Sequence, residues 1–354
     1  MEFLTEFGLF VAKAVTLVIA LIVVISVMLS AAQKEKGEDH SDGELRARKL
    51  NDKYRKLRES LQARLLSEHE RKVWAKQRKK EDKARTKAEK TKHKAADTPE
   101  EAKKRVFVLD FDGDIKASDT DPLRRAITAV LSLARPDQDE VVIRLESGGG
   151  LVHSYGLAAA QLDRIRSKGI HLTACVDKVA ASGGYMMACV ADRIVASPFA
   201  VLGSIGVVAQ LPNFHRLLKK NNVDFEVLTA GEHKRTLTVF GENTEKGRQK
   251  FLEDLEDTHV LFKEYVSERR PGLDIAAVAN GDIWFGRRAL EVKLIDQIQT
   301  SDEYLIEACD NADVISVAFQ RKRTLPEKLG LATSAALEHT VWRVLSAFRN
   351  QKIQ

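Results

Sequence analysis

Two serine–glycine stretches and one lysine are the residues of this 354-residue chain whose types and settings could do covalent chemistry. Ser147-Gly148-Gly149-Gly150 follows a β-branched run, and Ala180-Ala181-Ser182-Gly183-Gly184-Tyr185 sits where a helix should begin. Glycines let a backbone take positive φ and approach a ligand closely. A serine at a helix N-terminus lies beside free N–H groups, a setting that suits a nucleophile next to an oxyanion site. The same serine could simply cap the helix, and a glycine loop alone carries little weight. A hydrolytic serine also needs a base. His153 and His233 qualify by type, but no Asp–His–Ser order is evident, and Ala180 removes the G-x-S-x-G elbow of α/β-hydrolases. The remaining option is a lysine kept neutral by desolvation. Lys234, in Ala230-Gly231-Glu232-His233-Lys234-Arg235, follows an expected strand and turn, yet by itself it is one of many lysines.

A competing chemistry is written in Asp110-Phe111-Asp112-Gly113-Asp114, which imitates the strand and D-x-D-G start of a haloacid-dehalogenase-type phosphatase. Its two acids would supply a nucleophile and a proton donor around Mg²⁺. Asp114 stands where Thr or Val is usual, and no later acidic metal motif follows. The same acids do not form a calcium loop, because Ile115 occupies the position that needs glycine. Cys175, Cys189 and Cys309 are scattered and form no C-x-x-C pair, so neither a zinc site nor a disulfide framework is expected. Cys175 and Cys189 read as small core residues. No metal or cofactor is expected.

The elements that must position these residues lie after Pro99, where the composition turns globular. Val106–Leu109, Val141–Leu145, His171–Val176 and Phe225–Leu228 are short strand-like runs, each followed by a turn and a helical stretch. That alternation predicts an α/β domain with mainly parallel pairing. The apolar stretch Gly183–Leu211 is interrupted by Asp192, Arg193 and Pro198 and punctuated by glycines, so it predicts core strands and a buried helix rather than a membrane span.

Before Pro99 the chain is of a different kind. Ala14 to Gln33 carries no charge; with the preceding turn it gives about 25 residues, enough to cross a hydrocarbon core ~30 Å thick. A cleavable signal peptide would have an apolar region of ~7–15 residues behind a basic start, whereas this run is longer and follows Glu2 and Glu6. Ser30 and Ala32 do offer a small-x-small cleavage site, but an uncleaved anchor is the preferred reading. The lysines that follow it would place the bulk of the chain in the cytoplasm by the positive-inside rule. From Glu44 to about Lys94 the sequence predicts a basic helical connector, with Leu50, Tyr54, Leu57, Leu61 and Leu65 forming a narrow apolar stripe. It reads as a solvated or self-associating spacer, as a segment drawn to anionic lipid, or, with no aromatic interleaving to support it, as a nucleic-acid binder. Asp97-Thr98-Pro99 should end it. The expected organisation is an anchor over 1–33, a connector over 34–98, a catalytic domain over 99–320 and an amphipathic extension over 321–354.

Four stretches taken together resemble a known family. RLESGGGLV, VDKVAASGGYMMACVADRIVASPFAVLGSIGV, LTAGEHKRTLT and GDIWFGRRALEVKLID occur in the order seen in the signal peptide peptidase A family, over roughly residues 104–320. The resemblance implies a crotonase-like (ClpP/crotonase-type) α/β fold and a serine endopeptidase with a Ser/Lys dyad. It assigns Ser182 as nucleophile, Lys234 as general base, Ser204 of LGSIGV as the residue orienting the lysine, and the backbone N–H groups of Gly183 and Gly150 as the oxyanion hole. The family usually has Ser-Pro-Gly-Gly; here Gly148 replaces the proline, loosening the loop and leaving Gly149 as an alternative to Gly150 for the loop's oxyanion donor. The resemblance further implies apolar peptide or unfolded-protein substrates, such as signal peptide remnants, and a homo-oligomer in which Lys234 can serve a neighbour's Ser182. It also implies a bacterial inner-membrane location, commonly on the periplasmic side, contrary to the charge rule. No nucleic-acid partner is implied. The rival readings are an acyl-CoA enzyme sharing the fold, an inactive membrane scaffold and the phosphatase above.

Overall fold

The structure, a computed structural model, describes residues 43–94 and 103–320. Ten strands form one branched sheet. They are β1 (Glu44–Lys49), β2 (Arg105–Gly113), β3 (Glu140–Ser147), β4 (His171–Val176), β5 (Val179–Ala181), β6 (Arg193–Ala196), β7 (Val201–Gly203), β8 (Ile283–Phe285), β9 (Gln297–Ile298) and β10 (Asp313–Gln320). The main path runs β1-β10-β2-β3-β4-β6-β9, and a side branch leads from β3 through β5 and β7 to β8. The pairs from β10 to β9 and from β3 to β7 are parallel, while β7 and β8 are antiparallel. The helices are α1 (Leu50–Leu65), α2 (Glu68–Lys94), α3 (Thr120–Leu131), α4 (Val152–Arg166), α5 (Gly183–Ala188), α6 (His215–Lys220), α7 (Glu245–Arg269), α8 (Ile275–Val278), α9 (Gly286–Glu291) and α10 (Ser301–Asn311).

Side chains alternate across a strand, so each central strand feeds two cores. Phe107, Leu109 and Phe111 of β2, with Val141, Ile143 and Leu145 of β3, enter the larger core, which also holds the apolar residues of α3, α4 and α5. Val106, Val108 and Val142 point the other way, into a smaller core shared with Leu305, Val314 and Leu50. The branch exists because β4 pairs with only the first part of β3; further along, Ser147 pairs with Ala180 of β5 instead. The chain therefore turns at Asp177-Lys178, and the loops after β3 and β5 meet at the fork. This places both serine–glycine stretches side by side.

The strands expected over Val106–Leu109 and Val141–Leu145 are present and extend further than expected, and the one over His171–Val176 has the expected bounds. The fourth expected strand is absent. Phe225 to Leu228 has no regular structure, and Phe225, Val227 and Leu228 are exposed. An aromatic and β-branched run is only half of a strand signal; the backbone here finds no ladder partner among the described residues. The stretch from Gly183 does supply a buried helix and two core strands, but beyond Gly203 it leaves regular structure and exposes Val208 and Leu211.

The connector also differs from a continuous helix. It opens as a strand over Glu44–Lys49, and it breaks between α1 and α2 at Leu66-Ser67. The break has a local cause. The Glu70 carboxylate accepts the Ser67 backbone N–H at 2.9 Å and its hydroxyl at 2.6 Å, while Ser67 Oγ accepts the Glu70 N–H at 3.4 Å. Ser67-x-x-Glu70 is thus a capping box that restarts the helix. Within the apolar stripe Leu50 is buried and Tyr54 half-buried against the body, whereas Leu57, Leu61 and Leu65 are exposed. Asn51 fixes the start of α1: its amide donates to the Cys309 and Ala312 carbonyls at 3.1 and 2.9 Å, and its oxygen accepts the Val314 N–H at 2.8 Å. Cys175 and Cys189 are core residues, and burial pushes both thiols up to about 12. Among the described residues no helix is long and apolar enough to cross a membrane. The expected anchor at 14–33, the boundary at 97–99 and the amphipathic extension after 320 lie outside the described residues.

Candidate active site

Ser182 stands between β5 and the N-terminus of α5, with φ 53° and ψ −119°. A non-glycine residue with positive φ is uncommon, and the strain must be held by its surroundings. Here the Ser182 N–H donates to the Gly203 carbonyl at 2.8 Å, and its own carbonyl accepts the Met186 N–H at 2.9 Å. Every residue of α5 is buried. The hydroxyl caps no backbone group, so the helix-cap reading of Ser182 does not hold. Ser182 itself remains partly accessible.

The glycine loop after β3 packs directly on this turn. A Cβ placed on Gly149, whose φ is +88°, would lie 2.7 Å from Gly183 N and 2.8 Å from Ser182 Cβ. A Cβ on Gly150 would strike the backbone of Ile115, and one on Gly183 would overlap the Tyr155 ring. Gly148, by contrast, faces open space. The Gly149 N–H is spent on Ser147 Oγ at 3.1 Å and the Leu151 N–H on the Ile115 carbonyl at 2.9 Å. The N–H groups of Gly150 and Gly183 have no hydrogen-bond acceptor among the described residues. Gly149, Gly150 and Gly183 are therefore required by close approach, and two unspent donors lie on the loops that meet beside Ser182.

Beneath the loops lies a group that sequence reasoning missed. Tyr155 on α4 is fully buried, its hydroxyl 2.5 Å from Ser147 Oγ and donating to the Asp114 carbonyl at 2.7 Å. Burial pushes its hydroxyl pKa up, the Ser147 hydrogen bond opposing in part, so the group stays protonated as a donor. The available signal was a single large polar-tipped residue on the core face of a helix otherwise built there from Ala158, Ala159, Leu162 and Ile165.

The lysine segment is different in character. Between β7 and α7 the chain from 204 to 244 holds only the short helix α6. Ser204 has φ 51°, donates its N–H to the Asp282 carbonyl at 2.7 Å, and follows directly on Gly203, the residue bonded to Ser182. Lys234 is exposed; its backbone N–H donates to the Gly231 carbonyl at 3.2 Å, and no hydrogen bond joins its ammonium to Ser182 or Ser204. The structure thus brings together Ser182, Gly150, Gly183 and the Ser204 backbone, and leaves Lys234 apart from them. His153 and His233 are both exposed, the latter beside Glu232. The Asp110 carboxylate pairs with Arg144 at 2.6 Å, and that of Asp114 accepts hydrogen bonds from Ser118 and from the Lys116 N–H. Of the two acids of the phosphatase-like motif, Asp110 is thus held by Arg144, while Asp112 is exposed.

A nucleophile-like serine on a strained strand-to-helix turn, facing a glycine loop on a parallel α/β sheet, defines a hydrolase-type site. Comparison with known sequences gives the class its name: "Peptidase family S49 N-terminal" matches residues 2–162 and "Peptidase family S49" matches residues 164–315. The chain belongs to peptidase family S49, and it is a protease with that family's mixed α/β fold. Its curated relatives include the "Probable protease SohB" of Haemophilus influenzae, 51% identical over 93% of this chain and 92% of the relative. The protein of the same name from Buchnera aphidicola subsp. Schizaphis graminum is 43% identical over the whole of both chains. Among solved structures, a serine-to-alanine variant of a membrane-bound stomatin-specific protease overlaps 58% of this chain and 84% of its own, with 16% identity and a TM-score of 0.38.

Proposed function

We propose that this protease is a serine endopeptidase in which Ser182 is the nucleophile, Lys234 the general base, and the N–H groups of Gly150 and Gly183 the oxyanion hole. The observation that carries the reading is Ser182 itself: a serine in left-handed backbone at a buried helix N-terminus, with an uncommitted hydroxyl and two unspent N–H donors on the adjoining loops. In the reaction, neutral Lys234 takes the Ser182 proton and the alkoxide attacks a peptide carbonyl. The Gly150 and Gly183 amides hold the oxygen that gains charge. Lysine returns the proton to the leaving amine, and water then resolves the acyl-enzyme. Ser204, on the residue next to Gly203, orients the lysine amine.

The exposed position of Lys234 favours a homo-oligomer. Val208, Phe214, Leu217, Val223, Phe225 and Leu228 of the same segment are exposed as well, apolar surface suited to a partner copy. A neighbouring copy covering this segment would take the amine out of water, the condition under which a lysine serves as a base. It could also deliver Lys234 to the neighbour's Ser182. Anchoring in the bacterial inner membrane by the uncharged N-terminal run, and apolar segments of unfolded proteins as substrates, complete the proposal.

The test is cleavage of an unfolded protein and of apolar fluorogenic peptides by the detergent-solubilised chain, with and without EDTA. Ser182→Ala and Lys234→Ala should each abolish chelator-resistant cleavage, and co-assembly of the two inactive variants should restore activity if the dyad forms between subunits. Cleavage that survives both substitutions refutes the site. A folded wild type that cleaves nothing supports the scaffold reading instead.

A further inference from the structure

We propose that Tyr155 is a positioning residue that braces both walls of the oxyanion hole, supplying the rigidity that the glycine-only loop lacks. The inference rests on the reading of Ser182, Gly150 and Gly183 given above.

The brace is a directed chain of hydrogen bonds. Tyr155 has one hydroxyl proton, and it goes to the Asp114 carbonyl at 2.7 Å. With that proton so placed, the tyrosine oxygen accepts from Ser147 in their 2.5 Å contact, and the Ser147 hydroxyl has the Gly113 carbonyl, at 3.3 Å, as its alternative acceptor. Ser147 Oγ in turn accepts the Gly149 N–H at 3.1 Å. The chain then runs Gly149 N–H to Ser147 to Tyr155 to Asp114, each donor strengthening the next. It fixes the peptide that precedes the Gly150 N–H. Its far end lies in the loop after β2, whose Ile115 carbonyl accepts the Leu151 N–H at 2.9 Å and whose backbone packs against Gly150. The Gly150 peptide is thus gripped from both sides.

The second wall rests on the ring of the same residue. Gly183 packs so closely on Tyr155 that a Cβ there would overlap Cγ, Cδ2 and Cβ of the tyrosine. The aromatic ring is the floor under the Gly183 peptide, and its hydroxyl end ties the opposing loop. One buried side chain sets the spacing between two donors on different loops. This matters because a Cβ on Gly148 would meet nothing within 4 Å, so no packing on that side holds the loop. Its open surroundings leave space for a Cβ, and its φ lies outside the left-handed region, so the rigidity missing there is open to test by substitution.

The experiment measures kcat and KM of the full chain in detergent for a fluorogenic apolar peptide, together with the rate of Ser182 labelling by a fluorophosphonate. Tyr155→Phe keeps the ring and removes the hydroxyl. Its kcat should fall about tenfold or more with KM within about twofold, less than the ~10²–10³ that follows outright loss of an oxyanion donor. Ser147→Ala should fall similarly, and the double variant should lose little more than either single one. Gly148→Pro placed in the Tyr155→Phe background should recover several-fold in kcat, which restored folding alone would not do. A Tyr155→Phe variant with wild-type kcat overturns the proposal, as does multiplicative loss in the double variant or absence of rescue by proline. If Ser182→Ala still cleaves, the site reading fails; if it is inactive while Tyr155→Phe is fully active, only the brace fails.

Discussion

Replacing Gly149 and Gly148 by alanine, one at a time, should give opposite results from adjacent residues. Gly149 has φ +88°, a conformation that an L side chain enters at a cost of about 1–2 kcal/mol. The new Cβ would lie 2.7 Å from Gly183 N and 2.8 Å from Ser182 Cβ. Neither contact is the far end of a flexible side chain, so relief requires backbone movement, typically about 1–3 kcal/mol in a well-packed interior. Gly149→Ala should therefore destabilise by about 2–5 kcal/mol, and any relaxation must displace Ser182 or the Gly183 amide. Gly148→Ala adds a methyl to open space outside the left-handed region. It should be neutral or stabilising by about 0.4–1 kcal/mol through the lower entropy of the unfolded chain. Denaturant unfolding gives the stabilities, and fluorophosphonate labelling reports the nucleophile in the folded fraction. Labelling should be nearly lost in Gly149→Ala and unchanged in Gly148→Ala. Equal stability and equal labelling in the two variants would refute the close-approach argument.

Two further outcomes are expected. Asp139 has a fully buried carboxylate; burial alone would raise its pKa, but hydrogen bonds from the Arg135 and Arg105 side chains and N–H groups outweigh burial and hold it well below the ordinary range. A depressed carboxyl contributes stability that is complete above its unfolded value, about 3.9, and is lost as pH falls through the folded value. Acid unfolding followed by circular dichroism should show stability declining below about pH 4, with a smaller pH dependence in Asp139→Asn. Asn51→Ala removes the three hydrogen bonds that hold the start of α1, which should cost about 1–3 kcal/mol locally. Limited proteolysis should then cut near Leu50 well before the sheet is attacked; an unchanged cleavage pattern would mean that Leu50 alone retains the helix.

What the sequence determined by itself was the chemistry-bearing turns and the elements behind them. The short apolar, β-branched runs Val106–Leu109 and Val141–Leu145, each followed by a turn and a helical stretch, signalled strands, and the structure sends their alternate residues into two cores. The glycines at 149 and 183 were equally legible, since only glycine fits where a backbone meets a neighbouring nucleophile or ring. Even the capping box at Ser67 and Glu70 was written locally, although a long run of helix-forming residues obscured it. Other features were decided only in three dimensions. The sheet branches at Ser147 because β4 and β5 share β3, a long-range pairing that no local pattern encodes. Tyr155 owes its role to the fold, which brings Ser147 and Asp114 to its hydroxyl across separations of 8 and 41 residues. Phe225 to Leu228 had strand composition and formed none, because a strand needs a partner strand and the described fold gives this run no pairing. Local preference acts through neighbours a few residues apart, whereas pairing, burial and the meeting of two loops depend on where the rest of the chain has gone.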